Sequence, residues 1–83
     1  MEKQIGEVIH FFNKAQVMVV RLLDELSLED VIKVKGGNRE FEQTVNSMQI
    51  DGEDIAKAGK GEEVAIKIDD RAKENDKVYK VTK

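Results

Sequence analysis

The sequence predicts an all-β fold, a small closed six-stranded, antiparallel-rich β-barrel, and three observations carry that expectation. Turn-forming residues recur about every 8–12 positions between short apolar runs, which is the spacing of a sandwich or a barrel. The runs are rich in Val and Ile, whose branched side chains suit a pleated strand better than a helix. Several runs are apolar on both faces and the middle one changes phase, as expected of a sheet that curls on itself. Closure would also remove the exposed strand edges that invite aggregation.

Residues 4–12 predict the first strand. Ile5, Ile9 and Phe11 share one face under the two-residue period, while Gly6, Val8, His10 and Phe12 share the other. Gly6 allows a bend or a close backbone approach, and Asn13-Lys14 makes a short connection. Residues 15–23 follow as a second strand, with Val17, Val19 and Leu23 on one face and Met18, Val20 and Leu22 on the other. A helix competes for a run of this length, and the three valines decide for the strand. Two strands so close in sequence predict an antiparallel hairpin.

Residues 24–30 form a polar connection carrying Leu26 and Leu28. Ser27 and Asp30 have the spacing of a capping box, in a segment with room for no more than one helical turn. In 31–35, Ile32 and Val34 point one way and Lys33 and Lys35 the other, and Gly36-Gly37-Asn38 ends the strand. From Phe41 the period runs through Gln43 and Val45, then Met48 and Ile50 take the opposite parity. Such a slip predicts a β-bulge or sharp bend at Asn46-Ser47. Asp51-Gly52 supplies a turn, and 54–57 reads as an irregular or one-turn helical link. In 63–68, Val64, Ile66 and Ile68 point inward and Lys67 outward. A charged connection and the Asn75-Asp76 turn lead into a last strand at 77–81.

Length and composition set the bounds. The 83 residues fit one domain, residues 1–83, with four aromatics and hence an aliphatic core. A domain of this size buries only about 60% of its unfolded surface, so a built-in enzymatic cleft, and with it an enzyme, is not expected. Fourteen basic against 17 acidic residues leave a net charge of −3, which opposes a general nucleic-acid binder. Cysteine is absent, which excludes thiolate metal sites and fits a reducing compartment. No apolar run reaches about 18 residues and no signal-peptide core is visible, so the expected location is cytoplasmic, away from membranes.

Few motifs carry chemistry. Gly59-Lys60-Gly61 lacks the upstream Gly spacing and the hydroxyl residue of a phosphate-binding loop, so no GTP binding and no cofactor are expected. His10 is the only histidine, so neither a His pair for metal nor a triad can be built, and it reads as a partly covered strand residue beside Phe11 and Phe12. Asp69, Asp70 and Asp76 read as solvated loop carboxylates, without the offsets of a calcium loop. Lys33, Lys35 and Lys67 point outward on strands and Arg39 stands on a loop, which makes these four the candidate surface for RNA or a partner. Glu40, Glu42 and Glu63 lie where they would cancel its potential.

Taken in order, the motifs resemble the second domain of translational GTPases, the elongation factor Tu type β-barrel, and the small stand-alone translation elongation factor-like proteins. The similarity spans about residues 4–81. Ile5-Gly6 with Val8 looks like the opening strand and Val17 to Val20 like the second. The run Leu26-Ser27-Leu28-Glu29-Asp30-Val31-Ile32-Lys33-Val34 resembles Leu-x-Val-Gly-Asp-x-Ile-x-Ile, with Glu29 in place of Gly. Val45-Asn46-Ser47-Met48-Gln49 is similar to Val-x-Ser-Met-Gln, the most specific piece. Ala58 to Ile66 follows Ala-x-x-Gly-Asp-x-Val-Gly-Ile, with Glu62 for Asp and Ala65 for Gly. Asn75-Asp76-Lys77-Val78-Tyr79 looks like the closing Gly-Asp-x-Val-Tyr, where Asn75 can keep a positive φ.

The resemblance implies a non-catalytic binding module for RNA (tRNA or the ribosome) or for a protein partner. The alternative is an accessory subunit that docks on an enzyme, as similar barrels do at the end of U32-type peptidases. GTP hydrolysis is not implied, because the chain has no GTPase domain.

Overall fold

A computed structural model describes residues 2–81, and among these residues there are ten β-strands and no helix. The strands are β1 (Glu2–Phe12), β2 (Val17–Leu22), β3 (Leu26–Ser27), β4 (Val31–Gly36), β5 (Arg39–Thr44), β6 (Met48–Ile50), β7 (Glu53–Ile55), β8 (Lys57–Ala58), β9 (Glu63–Lys67) and β10 (Lys77–Val81). Eight of them form one sheet in the order β5-β4-β10-β1-β2-β9-β6-β7. Every neighbouring pair in it is antiparallel. The two-residue strands β3 and β8 pair with each other apart from the main sheet.

The all-β expectation holds, and so does the β1–β2 hairpin, but the closed six-stranded barrel does not form. The sheet stays open between β5 and the strands that follow it. Residues 45–47 break the run into two strands: β5 pairs with β4, while β6 pairs with β9 and β7. The phase slip therefore marks a break and not a bulge. Val45 is fully buried there, its N–H donates to the Asp30 carbonyl at 2.9 Å, and its carbonyl accepts the Glu29 N–H at 2.8 Å. A side chain spans the gap that a ladder would have closed. The Gln43 amide donates to the Lys67 carbonyl at 3.1 Å, and its Oε1 accepts the Asp69 N–H at 2.9 Å.

Apolar residues on both faces of β1 have a local cause. The β1–β10 register shifts between Gln4 and Gly6, and the β1–β2 register shifts between Val8 and His10. Each shift inserts one residue and reverses the parity beyond it. Ile5 and Val8 are therefore both buried although their parities differ, and Phe11 packs against the same core. On β2 the even set, Met18, Val20 and Leu22, is the buried one. Ile32, Val34, Met48, Val64, Ile66, Ile68 and Val78 complete the centre of the core.

The connections follow local chemistry. Asp51 and Gly52 both take positive φ in a two-residue hairpin loop between β6 and β7, the geometry that Asp-Gly favours. Residues 54–57 are not a helical link: they lie in β7, a bend and the start of β8. Gly59-Lys60-Gly61 is a turn before β9, with Gly61 at φ 89°. Ser27 and Asp30 close a turn instead of capping a helix, since the Ser27 N–H donates to Asp30 Oδ2 at 2.9 Å.

Candidate functional site

The outer face of the sheet is built by cross-strand neighbours, which share a face and meet side by side. Successive Cα partners run Glu40, Lys35, Lys77, Glu7, Arg21, Glu63 across five strand pairs. Ion pairs join Lys35 to Glu40 (3.7 Å), Lys77 to Glu7 (3.1 Å) and Arg21 to Glu63 (2.9 Å). Glu2 bridges both lysines of β4, at 2.6 Å from Lys33 and 2.9 Å from Lys35. Lys35 also lies over the Tyr79 ring, 4.9 Å from its centre. The hydrogen bonds from Lys33 and then Lys35 hold the Glu2 carboxyl down to about 2, and its bond to each ammonium raises both lysines above their ordinary value. The two lysines are thus neutralised. Glu40, foreseen as a cancelling charge, takes part, whereas Glu2 comes from a strand no sequence pattern places beside them.

Of the four sequence-predicted surface residues, Lys35 and Arg39 line one depression of about 320 Å³ at the β4–β5 turn. Lys33 and Lys35 are in the ion-paired network. Arg39 is not on a loop but opens β5, and Lys67 is exposed at the end of β9. Arg39 does border a cleft of about 390 Å³, together with His10, Phe11, Arg71, Lys73 and Glu74. His10 is more exposed than expected, edge-on to Phe12 at 4.5 Å, with Nδ1 3.7 Å from the Glu74 carboxylate.

The segment that carries Arg71, Lys73 and Glu74 is tied down by burial and hydrogen bonds. Ala72 is buried, and Asp76 is only 8% exposed, so Asp76 is no solvated loop carboxylate. Its Oδ2 accepts the Lys73 N–H at 2.9 Å, its N–H donates to the Lys73 carbonyl at 3.1 Å, and its carbonyl accepts the Val8 N–H at 2.8 Å. Asn75 holds φ 76° and donates to the Val8 carbonyl at 2.7 Å. Sequence reasoning passed over Arg71 and Lys73 as part of a charged connection. Their signal was Ala72, a lone small apolar residue between two cations.

Another part of the outer face is apolar. The Cα partners Phe12, Val17 and Lys67 form one row and His10, Val19 and Ala65 the next. Phe12 is 49% exposed, while Val17, Val19 and Ala65 are half-buried. Val17, Ala65 and Lys67 line a shallow depression of about 130 Å³ with Ser47 and Gln49.

Comparison with known proteins overturns the likeness to a translation-factor domain. No family model matches the chain. It is 36% identical over 77 residues to an uncharacterised protease of Methanocaldococcus jannaschii; the match takes in 92% of this chain and 19% of that protein. The chain thus spans about a fifth of the length of the curated relative it matches. Its fold is similar to crystal structures of the C-terminal domain of a Geobacillus thermoleovorans protein described as a U32 peptidase. One superposes with a TM-score of 0.90 at 16% identity, covering 96% of this chain and 93% of that one. Its selenomethionine variant gives 0.87 at 15% identity, covering 92% and 96%. The stretches that resemble Val-x-Ser-Met-Gln and Gly-Asp-x-Val-Tyr fall on the break before β6 and the turn before β10, local turn chemistry that does not fix a function. The match to a protease over 92% of this chain, together with the shared fold, replaces the translation-factor resemblance.

Proposed function

We propose that the chain is a non-catalytic module that packs against the catalytic part of a U32-peptidase-like protein, through the outer face around Phe12, Val17, Val19 and Ala65. The observation that carries this reading is the match itself: 92% of this chain corresponds to 19% of a protease, so the relative carries a much larger remainder for such a module to serve. The half-exposed apolar rows at the β1–β2 hairpin supply a docking surface, because burying them on a partner removes apolar area from water. The rest of the outer sheet is already occupied by ion pairs within the chain.

The test is to purify the 83-residue chain and the catalytic portion of a U32-type peptidase from the same source and to measure their association by calorimetry. A complex is expected, and Val19→Lys or Ala65→Lys should weaken it at least about tenfold while leaving the melting temperature of the module unchanged. Absence of a complex with the unmodified chain, or variants that bind as tightly as the unmodified chain, would overturn the proposal.

A further inference from the structure

We infer that the cleft bordered by Arg39, Arg71 and Lys73 is a binding site for a small, multiply charged phosphate-bearing anion. Among the described residues, Lys3, Arg21, Lys33, Lys35, Lys57, Lys77 and Lys80 each have a carboxylate within 4 Å. Lys14, Arg39, Lys60, Lys67, Arg71 and Lys73 have none. Three of these six, including both unpaired arginines, border one concavity of about 390 Å³. Lys14 and Lys60 sit instead on turns, where an ammonium is simply solvated.

Unpaired cations gathered in a concavity repel one another, and the chain has an excess of carboxylates with which to neutralise them. Those nearby are directed elsewhere. Asp70 Oδ1 accepts the Arg71 N–H at 2.8 Å, Asp76 is turned into the fold on the Lys73 N–H, and Glu74 faces His10. The scaffold is fixed before any ligand arrives: buried Ala72 pins the segment between Arg71 and Lys73, and the Val8 backbone clamps Asn75 and Asp76. The backbone that carries Arg71 and Lys73 therefore loses little freedom on binding.

Two guanidinium forks and one ammonium are the groups that bind phosphate oxygens and balance its multiple charge, which a single carboxylate does not require. Glu74 makes the site asymmetric, so the anion belongs on the Arg39, Arg71 and Lys73 side. This inference does not depend on docking to a protease, because all of the residues belong to this chain.

Inorganic pyrophosphate titrated into the 83-residue protein at low salt, followed by amide chemical shifts, tests it. Acetate at matched ionic strength serves as the control. Saturable shifts confined to the amides around 10–13, 39 and 71–74 are expected with pyrophosphate, and not with acetate. Arg71→Gln and, separately, Lys73→Gln should weaken binding at least about tenfold with otherwise native spectra, while Lys67→Gln binds as the unmodified chain does. Lack of saturable shifts, an equal response to acetate, or an equal loss in Lys67→Gln would each overturn the inference.

Discussion

A Cβ built on Gly36 would stand 1.8 Å from Asp76 Oδ1, so the carboxylate occupies the space that any other residue needs. Asp76 cannot easily swing away, because its Oδ2 holds the Lys73 N–H. Gly36→Ala should therefore cost about 1–3 kcal/mol by overpacking, and Asp76→Ala about 1.5–3 kcal/mol by loss of a charged hydrogen bond. Urea denaturation of the double variant checks the coupling. Its loss should fall clearly below the sum of the single losses, since the missing carboxylate leaves room for the methyl group. Glu29 raises the opposite case, an exposed side chain held at φ 74°. Glycine removes the left-handed strain of about 1–2 kcal/mol and gives back part of it as unfolded-state entropy, so Glu29→Gly should raise stability by roughly 0.5–1 kcal/mol, read from the urea midpoint. Backbone demands of this kind were partly legible: Asn75 was expected to hold a positive φ and does, at 76°. The burial of Asp76 was not legible, because its partner Gly36 lies forty residues upstream and meets it only through the β4–β10 pairing.

At the level of elements, alternation revealed where most strands lie but not where extra residues enter them. In β1 an apolar residue at every position from Val8 to Phe12 except His10 suggested a sheet buried on both sides. Two register shifts produce that pattern while the sheet buries one face. Around Val45 the change of phase was visible, but a strand that bends and one that breaks leave the same parity signal; only the separate partners of β5 and β6 distinguish them. Gln43 then takes over the missing ladder, and Gln43→Ala should speed hydrogen exchange at the Asp69 amide, with little change at β2 amides such as Val20. Uniform exchange in that variant would mean the bridge is incidental. The tie between β1 and β4 is electrostatic. Glu2 is held down to about 2 by its hydrogen bonds to Lys33 and Lys35, so its contribution is complete above the ordinary glutamate range and disappears as pH falls from there through about 2. Thermal melts between about pH 5 and 2 should show a shallower loss for Glu2→Gln than for the unmodified chain.

Across the whole molecule, placement of charge decides which surfaces remain available. Sequence alone put Lys33 and Lys35 outward on a strand, which is correct, and made them a candidate contact for RNA; in the structure both are ion-paired within the chain. Glu2 and Glu40 approach both lysines, and these carboxylates come from β1 and β5, on opposite sides of β4 in the sheet order. No spacing in the sequence reveals such a meeting, just as none brings Arg39 beside Arg71 and Lys73. Charge reversal at Lys33 and Lys35 is consequently a test of stability before it is a test of binding. The double variant Lys33→Glu, Lys35→Glu would set four carboxylates against one another on one patch, where the unmodified chain has two of each sign. Its melting temperature should fall, and about 0.5 M salt should recover part of the loss, because exposed like charges are screened over a few ångströms at that strength. Adding Glu2→Lys and Glu40→Lys exchanges the signs and should restore most of the remainder. A double variant that melts with the unmodified chain would show that the network contributes nothing to the fold, and both lysines would then be open to a ligand.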